Sequence, residues 1–284
     1  MLQKIKILLE MIKFEHTVFA MPFALIGAFL AAGGVPDARI FVWVVLAMVG
    51  ARTAAMGFNR IVDRKFDAVN PRTAERAIPA GLVSAVEAWI MVIVASLLFF
   101  FACSMLNRLT LLLAPFALAL TFFYSLTKRF TWLCHVVLGL ALAFSPLGGW
   151  VAVTGSLTGF PWVLPLGVLF WVAGFDTVYA CLDADFDQQV GLFSLPSRFG
   201  RQRAFRLAVF FHVIAFGLFT ATGIAAHLNA FFYGGLLLTG AALFYQHLVV
   251  NPKDLSRIQL SFFTLNGLIS LTLFAATWLS LVTG

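Results

Sequence analysis

Residues 84–126 read SAVEAWIMVIVASLLFFFACSMLNRLTLLLAPFALALTFFYSL, a stretch with one acid, Glu87, and one base, Arg108. Apolar side chains fall on every face of a helix drawn through it, a pattern that suits lipid rather than one wall of a soluble core. It divides into two runs, 84–104 and 109–126, each close to the ~20 residues that cross a hydrocarbon core. Ser84 and Glu87 have capping-box spacing at the start of the first run.

Seven further runs extend the pattern, at 17–33, 39–58, 132–152, 161–181, 204–224, 228–250 and 260–282. The expected fold is therefore an all-α membrane protein, nine transmembrane helices in one bundle, with the whole chain, 1–284, as a single domain. Composition agrees: 62% of residues are hydrophobic and 11% charged, with a mean hydropathy of +0.98, against about 45–50% and about 25% in soluble domains. An ordinary soluble domain is excluded. Nucleic-acid binding is a poor reading of the pI of about 9.7, because Lys and Arg collect in the cytoplasmic loops of membrane proteins. In residues 1–16, Leu2, Ile5, Leu8, Leu9 and Ile12 recur at helical spacing among Lys4, Lys6 and Lys13, which predicts an amphipathic interfacial helix rather than a cleaved signal.

The nine-span reading puts all but Arg39, Arg52 and Arg108 of the 19 basic residues on one side. By the positive-inside rule the N-terminus is cytoplasmic and the C-terminus external, as in the plasma membrane of a bacterium or archaeon. Two connections, 59–83 and 182–203, are long, lie on that same side and hold most of the acids; Pro71, Pro79 and Pro196 break them into expected short helices capping the bundle. Cys103, Cys134 and Cys181 sit singly in apolar runs and read as small core residues.

Both long connections begin with a row of polar residues. Asn59, Asp63 and Asp67 are spaced i, i+4, i+8, one face of a helix continuing out of the second span. Asp176, Tyr179, Asp183 and Asp187 follow at i, i+3, i+7, i+11, again one face, with Asp185 turned away to solvent. Carboxylates this close repel one another unless cations neutralise them. Hard oxygen donors select Mg²⁺ or Ca²⁺, and such sites borrow ligands from water and substrate phosphates. Two facing rows would thus hold Mg²⁺ through Asp63, Asp67, Asp183 and Asp187, with a diphosphate between them. Lys128, Arg129, Arg64 and Arg72 lie on the same side as candidate contacts for the diphosphate oxygens. The plainer alternative pairs these acids with Arg60, Arg64, Lys65 and Arg72 in a solvated loop. Arg52 shares the face of Asn59 about two turns deeper, where an intramembrane Arg needs a partner: a ligand carboxylate, Asp176 or Asp183. His16, His135, His212, His227 and His247 are scattered without ligand spacing, and neither a Gly-x-Ser-x-Gly nor a Walker loop is present.

The pattern Asn59-x-x-x-Asp63-x-x-x-Asp67, the stretch Asn70-Pro71-Arg72-Thr73, Pro79-x-Gly81, the row from Asp176 to Asp187 and the loop Tyr124-Ser-Leu-Thr-Lys128-Arg129 together resemble the UbiA family of intramembrane aromatic prenyltransferases. The resemblance implies a central cavity open to lipid and two Asp-rich motifs that bind a polyprenyl diphosphate through Mg²⁺. It also implies transfer of the prenyl chain to a small aromatic acid. Carried over by motif position, Asn59, Asp63, Asp67, Asp183 and Asp187 would form the metal and diphosphate site, with Asp176 and Tyr179 beside the acceptor. Arg60 stands where many members have Asp. The wider pattern, with Arg52, is most similar to the quinone-pathway branch acting on 4-hydroxybenzoate or a hydroxynaphthoate, toward ubiquinone or menaquinone. Two rival readings fit less well. A cation-coupled transporter would place its acids near the midplane rather than at span ends, and a phosphatidyl-transferring enzyme would carry an Asp-Gly-x-x-Ala-Arg opening that this chain lacks.

Overall fold

A computed structural model describes residues 2–12 and 17–284. Among them the regular structure is helical throughout, with no strand. A short helix, α1 (Leu2–Met11), precedes nine longer ones: α2 (Thr17–Ala32), α3 (Ala38–Val69), α4 (Ala85–Leu106), α5 (Arg108–Thr127), α6 (Cys134–Thr154), α7 (Val163–Ala180), α10 (Arg201–Ala225), α11 (Ala230–Val249) and α12 (Asn266–Thr283). Two short helices, α8 (Ala184–Gln189) and α9 (Leu195–Phe199), follow α7. Part of the predicted amphipathic segment, residues 13–16 with Lys13 and His16, lies outside the described residues.

Among the described residues seven helices are long and apolar enough to cross a membrane, where the sequence predicts nine spans. The two others are α2, with 16 residues, and α11, whose last turns carry the polar pair Gln246 and His247. Outward faces carry large apolar side chains, Leu237 at 71% and Phe244 at 68% exposure, as a lipid-facing surface requires. The inner core gathers around Trp171, Phe23 and Phe219, all buried.

Helix contacts run α3 on α4, α2 on α6, α6 on α7, α7 on α10, α11 on α12 and α12 back on α2. At the α2–α6 crossing the backbones nearly touch: a Cβ on Gly149 would stand 1.9 Å from the Ala24 carbonyl oxygen, and one on Gly27 2.0 Å from that of Pro146. Lipid supplies no hydrophobic drive between helices, so small residues that allow such approach hold the bundle together. Ser84 and Glu87 form the expected capping box on α4. Asn107 caps α5 and also donates to the Val151 and Ala152 carbonyls at the end of α6.

Two local expectations change. The first long connection begins at Asn70, not at residue 59, because α3 runs unbroken to Val69, and residues 70–83 are turns rather than capping helices. The second row does not lie on one continuous helix: α7 stops at Ala180, and a turn at 181–183 leads into α8, with Asp183 at its N-cap.

Candidate active site

The C-terminal ends of α3, α5 and α7 and the N-terminal end of α6 meet at one end of the bundle. They surround the mouth of a cavity of about 850 Å³. Asn59, Asp63 and Asp67 all line it, as helical periodicity requires on an unbroken α3. Asn59 donates from Nδ2 to Asp63 Oδ2 at 3.0 Å, which fixes the carboxylate plane. Despite the helix break, Asp176, Tyr179, Asp183 and Asp187 line the same cavity. Asp185 turns away, 75% exposed and paired with Arg201 at 2.7 Å.

Each of the four candidate metal-binding acids has a basic partner. Arg129 Nη2 lies 3.1 Å from Asp63 Oδ1, Arg76 Nη1 2.7 Å from Asp67 Oδ1, and Lys128 Nζ 3.3 Å from Asp187 Oδ2. Arg72 grips Asp183 bidentately, Nε at 2.8 Å from Oδ1 and Nη2 on Oδ2, and reaches the Tyr179 hydroxyl with Nη1 at 3.2 Å. Lys128 and Arg129 are adjacent in the chain, yet one holds an acid of the second row and the other an acid of the first. The two rows therefore face each other across the loop between α5 and α6. Asn70, which closes α3, ties them directly by donating to Asp183 Oδ1 at 3.0 Å.

Arg72 and Asp183 each favour the other's charged form. Burial pushes the Asp183 carboxyl up, but the hydrogen bonds and charge of Arg72, with Asn70, carry it below the usual range. Burial acts to lower Arg72 and Lys128, and the facing carboxylates, Asp183 and Asp187 respectively, raise both above their ordinary values. The plainer sequence reading was right that the acids pair with bases. The partners, however, are Arg72, Arg76, Lys128 and Arg129, not Arg60, Arg64 or Lys65. Arg60 is buried, donating to the Met11 carbonyl at 3.2 Å and to Asn59. Arg64 bonds back to the Ile61 carbonyl at 3.2 Å and does not line the cavity.

Among the described residues no three of His, Cys, Asp and Glu converge as a ready-made metal cluster. The donor set nonetheless fits a hard cation: every candidate ligand is a carboxylate oxygen, and Asp67 Oδ2 is buried with no hydrogen-bond partner. Such an oxygen, beside Asp63 one helical turn away, is what a divalent ion shared with a phosphate would satisfy.

Deeper in the cavity the wall changes character. Arg52 sits half-buried in it, two turns below Asn59 on α3. Beyond lie Val44, Ala47, Phe99 and Leu113, an apolar depth suited to a hydrocarbon tail. Near the mouth, a π-helical turn at Leu260–Leu265 brings Phe262 to 4.1 Å between ring centroids from Tyr179, whose ring Arg72 also overlies at 5.5 Å. Sequence reading does not point to Arg76 as a partner or to this turn. It also passed over His135, which meets Asp176 at 2.6 Å. The rings of His212 and His247, without ligand spacing in the sequence, bond to each other at 2.8 Å.

Comparison with known proteins agrees with this geometry. Residues 20–268 match the UbiA prenyltransferase family. The 4-hydroxybenzoate octaprenyltransferase of Vibrio cholerae serotype O1 is 35% identical over 225 residues, 79% of each chain. The apo structure of a UbiA homolog from Aeropyrum pernix K1 superposes with a TM-score of 0.85 at 36% identity, covering 92% of this chain and 96% of that one. A UbiA homolog from Archaeoglobus fulgidus bound to GPP and Mg²⁺ shares the fold at 18% identity, with a TM-score of 0.75 over 97% and 99% of the two chains.

Proposed function

From the premise that this chain belongs to the UbiA prenyltransferase family, we propose that it transfers a polyprenyl chain from polyprenyl diphosphate to 4-hydroxybenzoate or a related hydroxynaphthoate. The product would feed ubiquinone or menaquinone formation. One observation carries this reading: two carboxylate rows and their four cations rim a cavity that turns apolar with depth.

Asp63 and Asp67 from one row and Asp183 and Asp187 from the other would hold Mg²⁺, which supplies positive charge to the departing diphosphate. Lys128, Arg129 and Arg72, now spent on the carboxylates, are placed to take the diphosphate oxygens. Asn59 keeps Asp63 oriented. With leaving-group charge stabilised, the allylic C–O bond breaks and its electron pair stays on the diphosphate. The electrophilic carbon left behind bonds to a ring carbon of the acceptor. Asp176 accepts the proton that this ring carbon loses as aromaticity returns. Arg52 receives the acceptor carboxylate, and Tyr179 with Phe262 walls the acceptor from water. Arg64, outside the cavity, has no part.

The Lys and Arg bias supports a mouth that opens to the cytoplasm, with the chain a single domain in a bacterial or archaeal plasma membrane. Cation-coupled transport gives way to the family's transferase chemistry. Membranes carrying the chain, given radiolabelled prenyl diphosphates, Mg²⁺ and a panel of hydroxybenzoates and hydroxynaphthoates, test the proposal. The expected result is a labelled prenylated ring that disappears with EDTA; label accumulating unchanged inside sealed vesicles would contradict it.

A further inference from the structure

His135 is the second residue of α6 and is completely buried. Its Nδ1 lies 2.6 Å from Asp176 Oδ2, and its Nε2 accepts from the backbone N–H of Leu195 at 3.3 Å. Leu195 opens α9, so this N–H is one of the donors that a helix start leaves unmatched within the helix. The contact geometry assigns the tautomer: Nε2 faces an N–H and accepts, and Nδ1 carries the proton donated to the carboxylate. The bond engages one carboxylate oxygen, Oδ2, and Asp176 lines the cavity.

We infer that His135 is a positioning residue for the transfer: it anchors one oxygen of Asp176 so that the other is presented to the acceptor. The inference rests on the reading of Asp176 given above. A carboxylate on the last turn of a helix has free rotation about two torsions. One short donor from a rigid, buried ring removes that freedom, as an outer partner does for a metal-ligating or catalytic side chain. His135 is not a proton relay. Its Nδ1 already bears a proton, its Nε2 meets an amide, and it touches no solvent, so the proton taken by Asp176 leaves through the cavity-facing oxygen.

The anchor also ties the acceptor side to the diphosphate side. The segment 193–195 gives Leu195 N–H to His135, Phe193 N–H to the Lys128 carbonyl at 2.7 Å, and Ser194 Oγ to Asp187 Oδ2 at 3.1 Å. Three consecutive residues therefore register Asp176 against two groups of the diphosphate mouth.

The test measures kcat and both KM values in membranes for His135→Ala, His135→Gln and Asp176→Asn. In His135→Ala we expect kcat/KM for the acceptor to fall about 10–100-fold, the range typical of a lost orienting partner, with KM for the prenyl diphosphate little changed. A glutamine amide can donate to Asp176 and accept from Leu195 but cannot carry a proton, so His135→Gln should recover most of the loss. Wild-type behaviour of His135→Ala beside an impaired Asp176→Asn would overturn the inference. So would a His135→Gln as impaired as His135→Ala, which would show that a titrating ring is needed, or equal rises in both KM values, which would show a general structural role. An unimpaired Asp176→Asn has a different pattern and removes the reading of Asp176 itself. Should His135→Ala not fold, His135→Gln decides alone: near wild-type kinetics support the inference, and a loss of about tenfold or more in acceptor kcat/KM refutes it.

Discussion

The two carboxylate rows reach the same cavity by different means. The first lies on α3, where Asn59, Asp63 and Asp67 are aligned by one unbroken helix, and the bonds from Asn59 and Arg129 to Asp63 and from Arg76 to Asp67 act on side chains that the backbone already places. The second crosses a joint. Its acids Asp176, Asp183 and Asp187 sit on α7, in a turn and on α8, and side-chain partners from distant segments hold them: His135, Arg72 with Asn70, and Lys128 with Ser194. A rigid helix positions groups through its backbone; a jointed segment must be positioned by its contacts. The second row is accordingly where the removal of a neighbour, rather than of an acid, should matter.

The largest effects test what the rows share. Asp63→Ala and Asp183→Ala should each lower prenyl transfer on the order of a thousandfold, the scale of losing a main stabiliser of transition-state charge, while the protein still inserts into membranes. Retained turnover in either variant, measured by product formation, would remove that acid from the metal site. A smaller effect separates the rows. Arg72→Ala leaves Asp183 without its bidentate partner and strips Tyr179 of a donor. It should lower transfer by about 10–100-fold, the scale of a lost orienting partner, and cost about 1–3 kcal/mol of stability through the unsatisfied carboxylate; thermal unfolding in detergent reads the second quantity. Arg76→Ala, the corresponding loss beside the first row, should cost less activity because α3 itself keeps Asp67 in place. Equal losses in the two variants would dissolve the distinction between backbone-held and contact-held rows. The smallest effect belongs to Arg64→Ala, which should stay within about twofold of wild type because it removes only a bond to its own helix.

How far the sequence reached follows from the same contrast. The span pattern and the first row were legible because both are local: apolar length and an i, i+4, i+8 spacing need nothing but a helix. The second row was legible in composition but not in shape, since the turn at Cys181–Asp183 contains neither Gly nor Pro and arises where α8 begins anew at Asp183. Pro71 and Pro79 suggested capping helices where the chain makes only turns. Basic residues could be assigned to a side of the membrane, but which one meets which acid is a tertiary matter, and Arg76 and Arg64 changed places in importance for that reason. His135 stands 41 positions from Asp176, a separation at which spacing carries no information. Of the nine expected spans, seven are long and apolar enough to cross among the described residues; α2 is short, and α11 carries the polar pair Gln246 and His247.

The central claim is that the two rows act as one site on one diphosphate. Equilibrium binding of a non-reacting prenyl thiodiphosphate to wild type, Asp63→Ala, Asp183→Ala and the double variant, with and without Mg²⁺, measures this as a coupling free energy. Either single change should abolish the Mg²⁺-dependent gain in affinity, and the double change should add almost nothing further. Independent, additive losses from the two changes, each leaving part of the Mg²⁺ response, would contradict it.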